Sequence, residues 1–325
     1  MRAAYYEKNG PAAEVLKVAE LGTPEPGPGE VRVKLRFSGV NPSDVKARAG
    51  SRKAMAPYVI PHSDGAGEID AVGRDVPRTR IGERVWTWNG QWKRPFGTCA
   101  EYIVLPEQQA VKLPAHVSFE AGACLGIPAL TAWHAVEVAE AREGAMVLIA
   151  GGAGGVAHYA IQFAKARGAT VMTTVSSAAK AKLAREAGAD HTIDYKHEDV
   201  GERVMALTGN RGVDSIIELN ITANARLIPA VLRPRGTVVV YGVGGPEATI
   251  PASFCLQNAI TLKSIFVYEL TEAERARAIA GITRLLEADR LINNVAQSFA
   301  LDDIVAAHQT VEQGGAMGNV VVKIG

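Results

Sequence analysis

The sequence predicts an α/β protein in two parts, a β-rich lobe and a doubly wound sheet of six parallel strands. Three observations predict it. The chain has 325 residues, long enough for two domains. After residue 125, short apolar strands alternate with amphipathic helices, the mark of βαβ units. A glycine turn, Gly151-Gly152-Ala153-Gly154-Gly155, joins the first of those strands to the first of those helices.

Before residue 125 the chain reads as short β runs: Glu30 to Phe37, Gly67 to Val72, Arg84 to Trp88 and Cys99 to Val104. Pro and Gly separate them, as in Thr23-Pro24-Glu25-Pro26-Gly27-Pro28-Gly29, and such punctuation is that of tight turns. The parallel strands that follow are Met146–Ala150, Thr170–Val175, His191–Ile193, Asp214–Leu219, Thr237–Tyr241 and Ile260–Val267. Between the first two, Ala157, Ala160, Ile161 and Ala164 recur at helical spacing and form one packing face. The tail predicts a helix from Glu272 to Ala288, a strand near Ala296–Phe299, a helix capped by Asp302 or Asp303 with the face Ile304, Ala307, His308 and Val311, and a last strand, Asn319 to Ile324. These pieces are expected to complete the first lobe, so that the parallel sheet is an insertion: residues 1–125 and 269–325 on one side, 126–268 on the other.

Composition removes several classes. Lys plus Arg number 35 and Asp plus Glu 34, a net charge of +1, without the basic excess of a dedicated nucleic-acid binder. The three cysteines, Cys99, Cys124 and Cys255, form no C-x-x-C pair, which argues against a disulfide framework and a four-cysteine zinc lobe. They read as reduced, packed thiols, and a cytoplasmic location is expected. Gly144 to Ala164 lacks Asp, Glu, Lys and Arg over a membrane-span length, but four glycines break it, so it reads as strand, turn and buried helix. No membrane partner is expected.

The run Met146-Val147-Leu148-Ile149-Ala150-Gly151-Gly152-Ala153-Gly154-Gly155-Val156-Ala157 carries the strongest chemical signal. Gly152-x-Gly154-x-x-Ala157 matches the dinucleotide fingerprint in its G/A form. The first glycine permits the turn and the second lets a pyrophosphate approach the backbone. The small third residue lets the helix pack, and the helix N-terminus offers free N–H groups to the phosphates. The competing reading is a packed glycine turn without a ligand; the βαβ context favours the cofactor. An NAD site places an acid at the end of the second strand. Here that strand ends Val175-Ser176-Ser177-Ala178-Ala179-Lys180, where hydroxyls and a lysine suit the 2′-phosphate of NADPH. Lys180 also reads as a solvated helix residue beside Lys182 and Arg185.

No G-x-S-x-G elbow, H-E-x-x-H or EF-hand loop is present, and the seven histidines show no metal-ligand spacing. His158, just after the glycine loop, reads either as a neighbour of the phosphates or as a structural residue facing a groove, and the structural reading is favoured. A nicotinamide carries the difficult step itself, so a reductase needs no acid–base constellation.

Taken together, Gly39-Val40-Asn41-Pro42-Ser43-Asp44, Ile60-Pro61-His62-Ser63-Asp64-Gly65-Ala66-Gly67, Gly97-Thr98-Cys99-Ala100-Glu101-Tyr102, Gly126-Ile127-Pro128-Ala129-Leu130-Thr131-Ala132 and the glycine loop with Gln162-Phe163-Ala164-Lys165 are family motifs. Through them the whole chain resembles the zinc-free branch of the medium-chain dehydrogenase/reductase superfamily, nearest the NADPH:quinone oxidoreductase, zeta-crystallin-like family. The resemblance implies a GroES-like β-rich catalytic domain and a Rossmann NADP(H)-binding domain. The family's zinc enzymes carry a cysteine before the Asn41 region and Gly-His-Glu where this chain has His62-Ser63-Asp64. Here Ser38 and Ser63 stand near those positions, and Trp86 to Phe96 replaces the four-cysteine lobe. No metal is therefore expected.

The resemblance also implies cofactor contacts. They fall on Ala153, Gly154, Gly155 and Val156; on Ser176 and Lys180, beside the Ser177 hydroxyl already singled out, with Tyr195 from the third strand; on Asn224; on Tyr241, Gly242, Val243 and Gly244; and on Phe266, Val267 and Tyr268. Asn41 and Thr131 match positions near the nicotinamide, and Asn319 stands where many relatives have lysine. Many quinone reductases have tyrosine where this chain has Lys46, which suits an anionic or thioester substrate or a cofactor phosphate. Asn41, Lys46 and Thr131 are the candidate catalytic groups.

The expected activity is hydride transfer from NADPH to a quinone held over the nicotinamide in the cleft between domains. The alternative is reduction of the double bond of an enal, enone or enoyl thioester, which Lys46 favours. A non-catalytic nucleotide- or RNA-binding role is the rival from another class, and the near-neutral charge weakens it. The family implies a homodimer through the edge strand near Thr261–Val267, read as an apolar edge in need of a partner.

Overall fold

The computed structural model describes residues 1–55 and 57–325. The chain divides into two compact units, Met1–Pro128 with Ile279–Gly325, and Ala129–Ala278. In the first unit β1 (Arg2–Tyr5) and β2 (Lys17–Glu20) make an antiparallel pair. Then come β3 (Glu30–Val40), β4 (Asp64–Val72), β5 (Arg84–Thr87), β6 (Tyr102–Pro106) and β7 (Ala110–Lys112). β3 is the spine: β4 and β6 both pair with it antiparallel, and β5 and β7 extend the sheet beyond β4. Its sequence explains this. Val31, Val33 and Leu35 are buried and alternate with Arg32 and Lys34, so one face enters the core.

The second unit holds β8 (Met146–Ile149), β9 (Thr170–Val175), β10 (His191–Asp194), β11 (Val213–Glu218), β12 (Leu232–Val240) and β13 (Thr261–Ser264). They form one sheet in the order β10-β9-β8-β11-β12-β13, with every neighbouring pair parallel. This is the expected doubly wound Rossmann sheet, and its strand order reverses at β8. The charge-free stretch Gly144 to Ala164 resolves into β8, the glycine turn and the start of the helix Gly155–Ala166. Ala157, Ala160, Ile161 and Ala164 on that helix are all buried, as their spacing predicts. No helix among the described residues is long and apolar enough to cross a membrane.

The tail returns to the first unit. β14 (Val295–Ala300) lies parallel to β15 (Asn319–Lys323), and β15 pairs antiparallel with β3. Between them the helix Ile304–Gln313 buries Ile304, Ala307 and His308. The expected aspartate cap does not form. A 3₁₀ turn, Leu301–Asp303, leads into the helix, and the Asp302 carboxylate is held by Arg2 Nη2 at 2.5 Å instead.

The edge strand also differs from expectation. All four residues of β13 are exposed, while the buried Ile265 and Val267 lie beyond its end. The apolar run is therefore split between a solvent-facing edge and a buried turn. All three cysteines are free; Cys99 and Cys124 are buried and Cys255 is half-buried.

Candidate functional site

The parallel sheet brings the chain's phosphate-binding candidates to one edge, because every strand ends on the same side. The glycine turn leaves β8 at the point of strand-order reversal. Gly151 has φ +71°, a left-handed conformation suited to glycine. β9 braces the turn from beside it. Gly151 N donates to Thr174 Oγ1 and Gly152 N to the Thr174 carbonyl, each at 3.0 Å. A Cβ on Gly152 would stand 2.3 Å from Thr173 Oγ1, so that glycine exists for close packing. At Gly154 the nearest atom to such a Cβ is the Gly151 carbonyl oxygen, at 3.3 Å, so the approach to the helix is open. No side chain caps the helix Gly155–Ala166. Its first-turn N–H groups are thus left for an anion, with Ala153, Gly154, Gly155 and Val156 around them.

At the end of β9, Lys180 Nζ donates to Ser176 Oγ at 3.1 Å, and Ser177 Oγ caps the next helix by accepting from Lys180 N at 3.3 Å. Asp194 pairs with Val175 across the β9–β10 ladder. Its carboxylate is engaged by Lys196 N at 3.1 Å and faces His197 Nδ1 at 3.0 Å, both within its own turn. Tyr195, exposed, follows β10 and donates its N–H to the Val175 carbonyl at 3.1 Å. A lysine paired to a hydroxyl is a fitting receptor for a phosphate dianion.

The remaining candidates in this unit fall along the same edge. Asn224 Nδ2 donates to the buried Glu218 carboxylate at 2.9 Å, so its amide is turned toward the end of β11. Burial pushes the Glu218 carboxyl and the Tyr241 phenol upward in pKa. A Cβ on Gly242 would strike the Leu219 carbonyl oxygen, which fixes how closely the loop Tyr241–Gly244 passes β11. Val243 and Gly244 are exposed in that loop. After β13, Phe266 is exposed against the Tyr268 ring at 5.2 Å, while Val267 and Tyr268 are buried. Thr131 is buried on the helix Leu130–Val138. His158 is structural: it accepts at Nδ1 from Gln162 Nε2 at 3.1 Å, and burial lowers its pKa to about 4.

The first unit carries Asn41, Lys46 and Asn319. Asn41 caps the short helix Pro42–Lys46, which ends at the exposed Lys46. Val40 pairs with Val320, so Asn319 stands at the same end of the β3–β15 ladder as Asn41. The Asn319 side chain donates to the Asn294 carbonyl at 3.1 Å and so holds its own loop.

Sequence reasoning missed what lies behind Asn41. Asn41 Nδ2 donates to Asp64 Oδ2 at 2.8 Å, and Asn41 N donates to Asp44 Oδ2 at 2.8 Å. The Asn-Pro-x-Asp spacing is a capping-box signal that could have revealed the second bond; nothing local reveals the first. Nearby, Ser38 Oγ lies 2.9 Å from His62 Nδ1 and 2.8 Å from Thr98 Oγ1. His62 Nε2 faces His308 Nε2 at 2.9 Å in a stacked pair. Burial first, then the neighbouring imidazole, holds the His62 pKa well below its usual value. Burial lowers that of His308 to about 3. Both nitrogens of His62 are thus turned to protein partners.

Comparison with known proteins places this geometry. An alcohol dehydrogenase GroES-like domain matches residues 27–115, and a zinc-binding dehydrogenase domain matches residues 155–284. A quinone oxidoreductase of Pseudomonas aeruginosa is 34% identical over 95% of this chain and 95% of its own length. The chain belongs to the zeta-crystallin-like quinone oxidoreductase family of the medium-chain dehydrogenase/reductase superfamily. Like its relatives it is an oxidoreductase. A 2-haloacrylate reductase of a Burkholderia species, another relative, is 29% identical over 99% of this chain and 98% of its own. The fold is shared with an NAD-dependent alcohol dehydrogenase of solved structure, at 32% identity and TM-score 0.91 over 100% of both chains. It is also shared with a mycobacterial protein solved with NADPH, at 28% identity and TM-score 0.87 over 99% of both. Within this family the name of the second matching domain refers to zinc. Among the described residues, no group of three or more His, Cys, Asp or Glu side chains is arranged to hold a metal.

Proposed function

We propose that this family member transfers hydride from NADPH to a quinone. The observation that carries the reading is the end of β9: Lys180 on Ser176, with the Asp194 carboxylate opposite bound into its own turn. An acid there would repel a 2′-phosphate; a lysine and two hydroxyls attract it. The Ala153–Val156 turn and the uncapped helix take the pyrophosphate. Residues 126–268 form the NADPH-binding domain in this reading, with Tyr195, Asn224, Tyr241–Gly244 and Phe266–Tyr268 along its edge. Residues 1–125 and 269–325 form the catalytic domain, with Asn319 supporting the loop beside Asn41.

When bound, NADPH supplies a hydride from its nicotinamide C4. Asn41 and Thr131 orient the reacting groups, and proximity lowers the barrier by several kcal/mol on general grounds. Lys46 offers a positive charge to the oxygen that gains electron density. A quinone that accepts hydride becomes a hydroquinone anion, and solvent supplies the proton.

A second reading has specific support. Lys46 replaces the tyrosine of many quinone reductases, and one relative is a 2-haloacrylate reductase. Reduction of a conjugated carbon–carbon double bond has the same electronics. The decisive assay follows NADPH oxidation with 1,4-naphthoquinone and with a medium-chain 2-alkenal. The quinone is expected to give the higher kcat/KM. A higher value for the alkenal selects the second reading, and turnover of neither overturns both.

We further propose a homodimer joined along β13. That strand is the sheet edge and is wholly exposed; Leu262 within it (41% exposed) and Leu256 just before it (83%) add apolar surface. Sedimentation velocity is expected to give twice the chain mass; a monomer at micromolar concentration contradicts this.

A further inference from the structure

We propose that Asp64 is a positioning residue for the reaction, acting through the side-chain amide of Asn41. The inference rests on the reading above that Asn41 stands at the nicotinamide end of the site. Asp64 is fully buried at the start of β4. Its Oδ2 accepts from Asn41 Nδ2 at 2.8 Å and from Ile127 N at 2.9 Å. One carboxylate oxygen therefore ties the Asn41 loop to the Gly126–Ile127 segment. Asn41 is gripped at its main chain as well, where its N–H donates to Asp44 Oδ2 at 2.8 Å.

These bonds decide which way the amide faces. Asn41 Nδ2 carries two hydrogens, of which Asp64 takes one, and the same side chain closes the capping box with the Asp44 main chain. Asp64 thereby fixes the orientation in which the amide meets a reacting group.

The arrangement is costly. Asp44 and Asp64 are both buried, and each has a second oxygen, Oδ1, without a hydrogen-bond partner. Burial raises the Asp44 pKa to about 7, and burial together with the Asp44 charge raises that of Asp64 well above the usual range. Desolvated carboxylates oppose folding unless something else retains them, and such groups concentrate at functional sites. The surroundings also hold Asp64 still. Its main-chain carbonyl accepts from Thr98 Oγ1 at 2.6 Å. A Cβ on Gly126 would lie 2.3 Å from Asp64 Oδ1, so the chain passes directly over the carboxylate.

The test is a mutant cycle on full-length protein, with NADPH oxidation by 1,4-naphthoquinone as the readout and thermal unfolding as the check of fold. Asp64→Ala and Asn41→Ala are each expected to lower kcat/KM about 30-fold, mostly in kcat, in line with loss of a hydrogen bond to a charged group. The double variant should be no worse than Asn41→Ala alone, within about threefold, because Asp64 acts through Asn41. Asp64→Asn keeps an acceptor at the Oδ2 position and should restore activity to within about fivefold of wild type. If Asp64→Ala does not fold, Asp64→Ser takes its place in the cycle. Multiplicative losses in the double variant, or loss in folded Asp64→Asn as deep as in Asp64→Ala, overturn the proposal while leaving the assigned activity intact. A wild-type protein that does not oxidise NADPH overturns the assigned activity and this inference with it.

Discussion

Gly154→Val is expected to fold like the wild type and to bind NADPH at least about 100-fold more weakly. The backbone at Gly154 has φ −79° and ψ 157°, ordinary for any L-residue, and a Cβ there meets nothing nearer than 3.3 Å. A side chain there asks the Gly151 carbonyl to give by only a few tenths of an ångström, a far smaller demand than at Gly152. The valine branches would occupy the space through which a pyrophosphate approaches the helix N-terminus. Gly152→Val is the control. Its Cβ would sit 2.3 Å from Thr173 Oγ1, and Thr173 Oγ1 already donates to the Ile149 carbonyl at 2.6 Å. That variant should lose stability, by about 1–3 kcal/mol or more, as overpacking does. Thermal unfolding with NADPH titration of tryptophan fluorescence separates the two. Wild-type affinity in Gly154→Val would remove the glycine turn from the cofactor site.

Ser176→Asp should invert the cofactor preference. The substitution puts a carboxylate where Lys180 Nζ now meets the Ser176 hydroxyl at 3.1 Å. The lysine's charge is then neutralised locally and the 2′-phosphate is repelled, while a ribose diol gains an acceptor. NADPH affinity should fall about 100-fold and NADH affinity should rise, the scale of 2–3 kcal/mol for a charge-assisted contact at an ordered site. Titration of both cofactors checks it; unchanged affinity for NADPH would show that the end of β9 does not read the phosphate.

Legibility in the sequence followed the range of the interactions. β9 was predicted over Thr170–Val175 and occupies those residues. A run of β-branched residues interrupted only by Met172, between Gly168-Ala169 and a serine pair, leaves little choice. The glycine turn was legible because its fingerprint is local. β12 begins at Leu232, before the expected Thr237, because Pro234 and Arg235 (φ +61°) disguise its start. β1 and β2 escaped notice because each has only four residues. They pair with each other across an intervening segment that contains the short helix Ala12–Val15, so no hairpin-turn signal marks them.

The network behind Asn41 was hidden for a different reason. Asp64 lies 23 residues from Asn41, and His308 lies 246 residues from His62. Periodicity cannot reveal which polar groups meet in a core. A buried aspartate in a glycine-rich motif reads, from sequence alone, as part of a turn. Only the fold shows that it accepts from both a side-chain amide and a distant main-chain N–H.

The most direct test of the central claim is the ratio of kcat/KM for NADPH over NADH, measured anaerobically on the wild-type protein with 1,4-naphthoquinone. The Ser176–Lys180 receptor at the end of β9 predicts a ratio of at least about ten, from a charge-assisted phosphate contact worth more than about 1.4 kcal/mol. A ratio near one, or a preference for NADH, would contradict it.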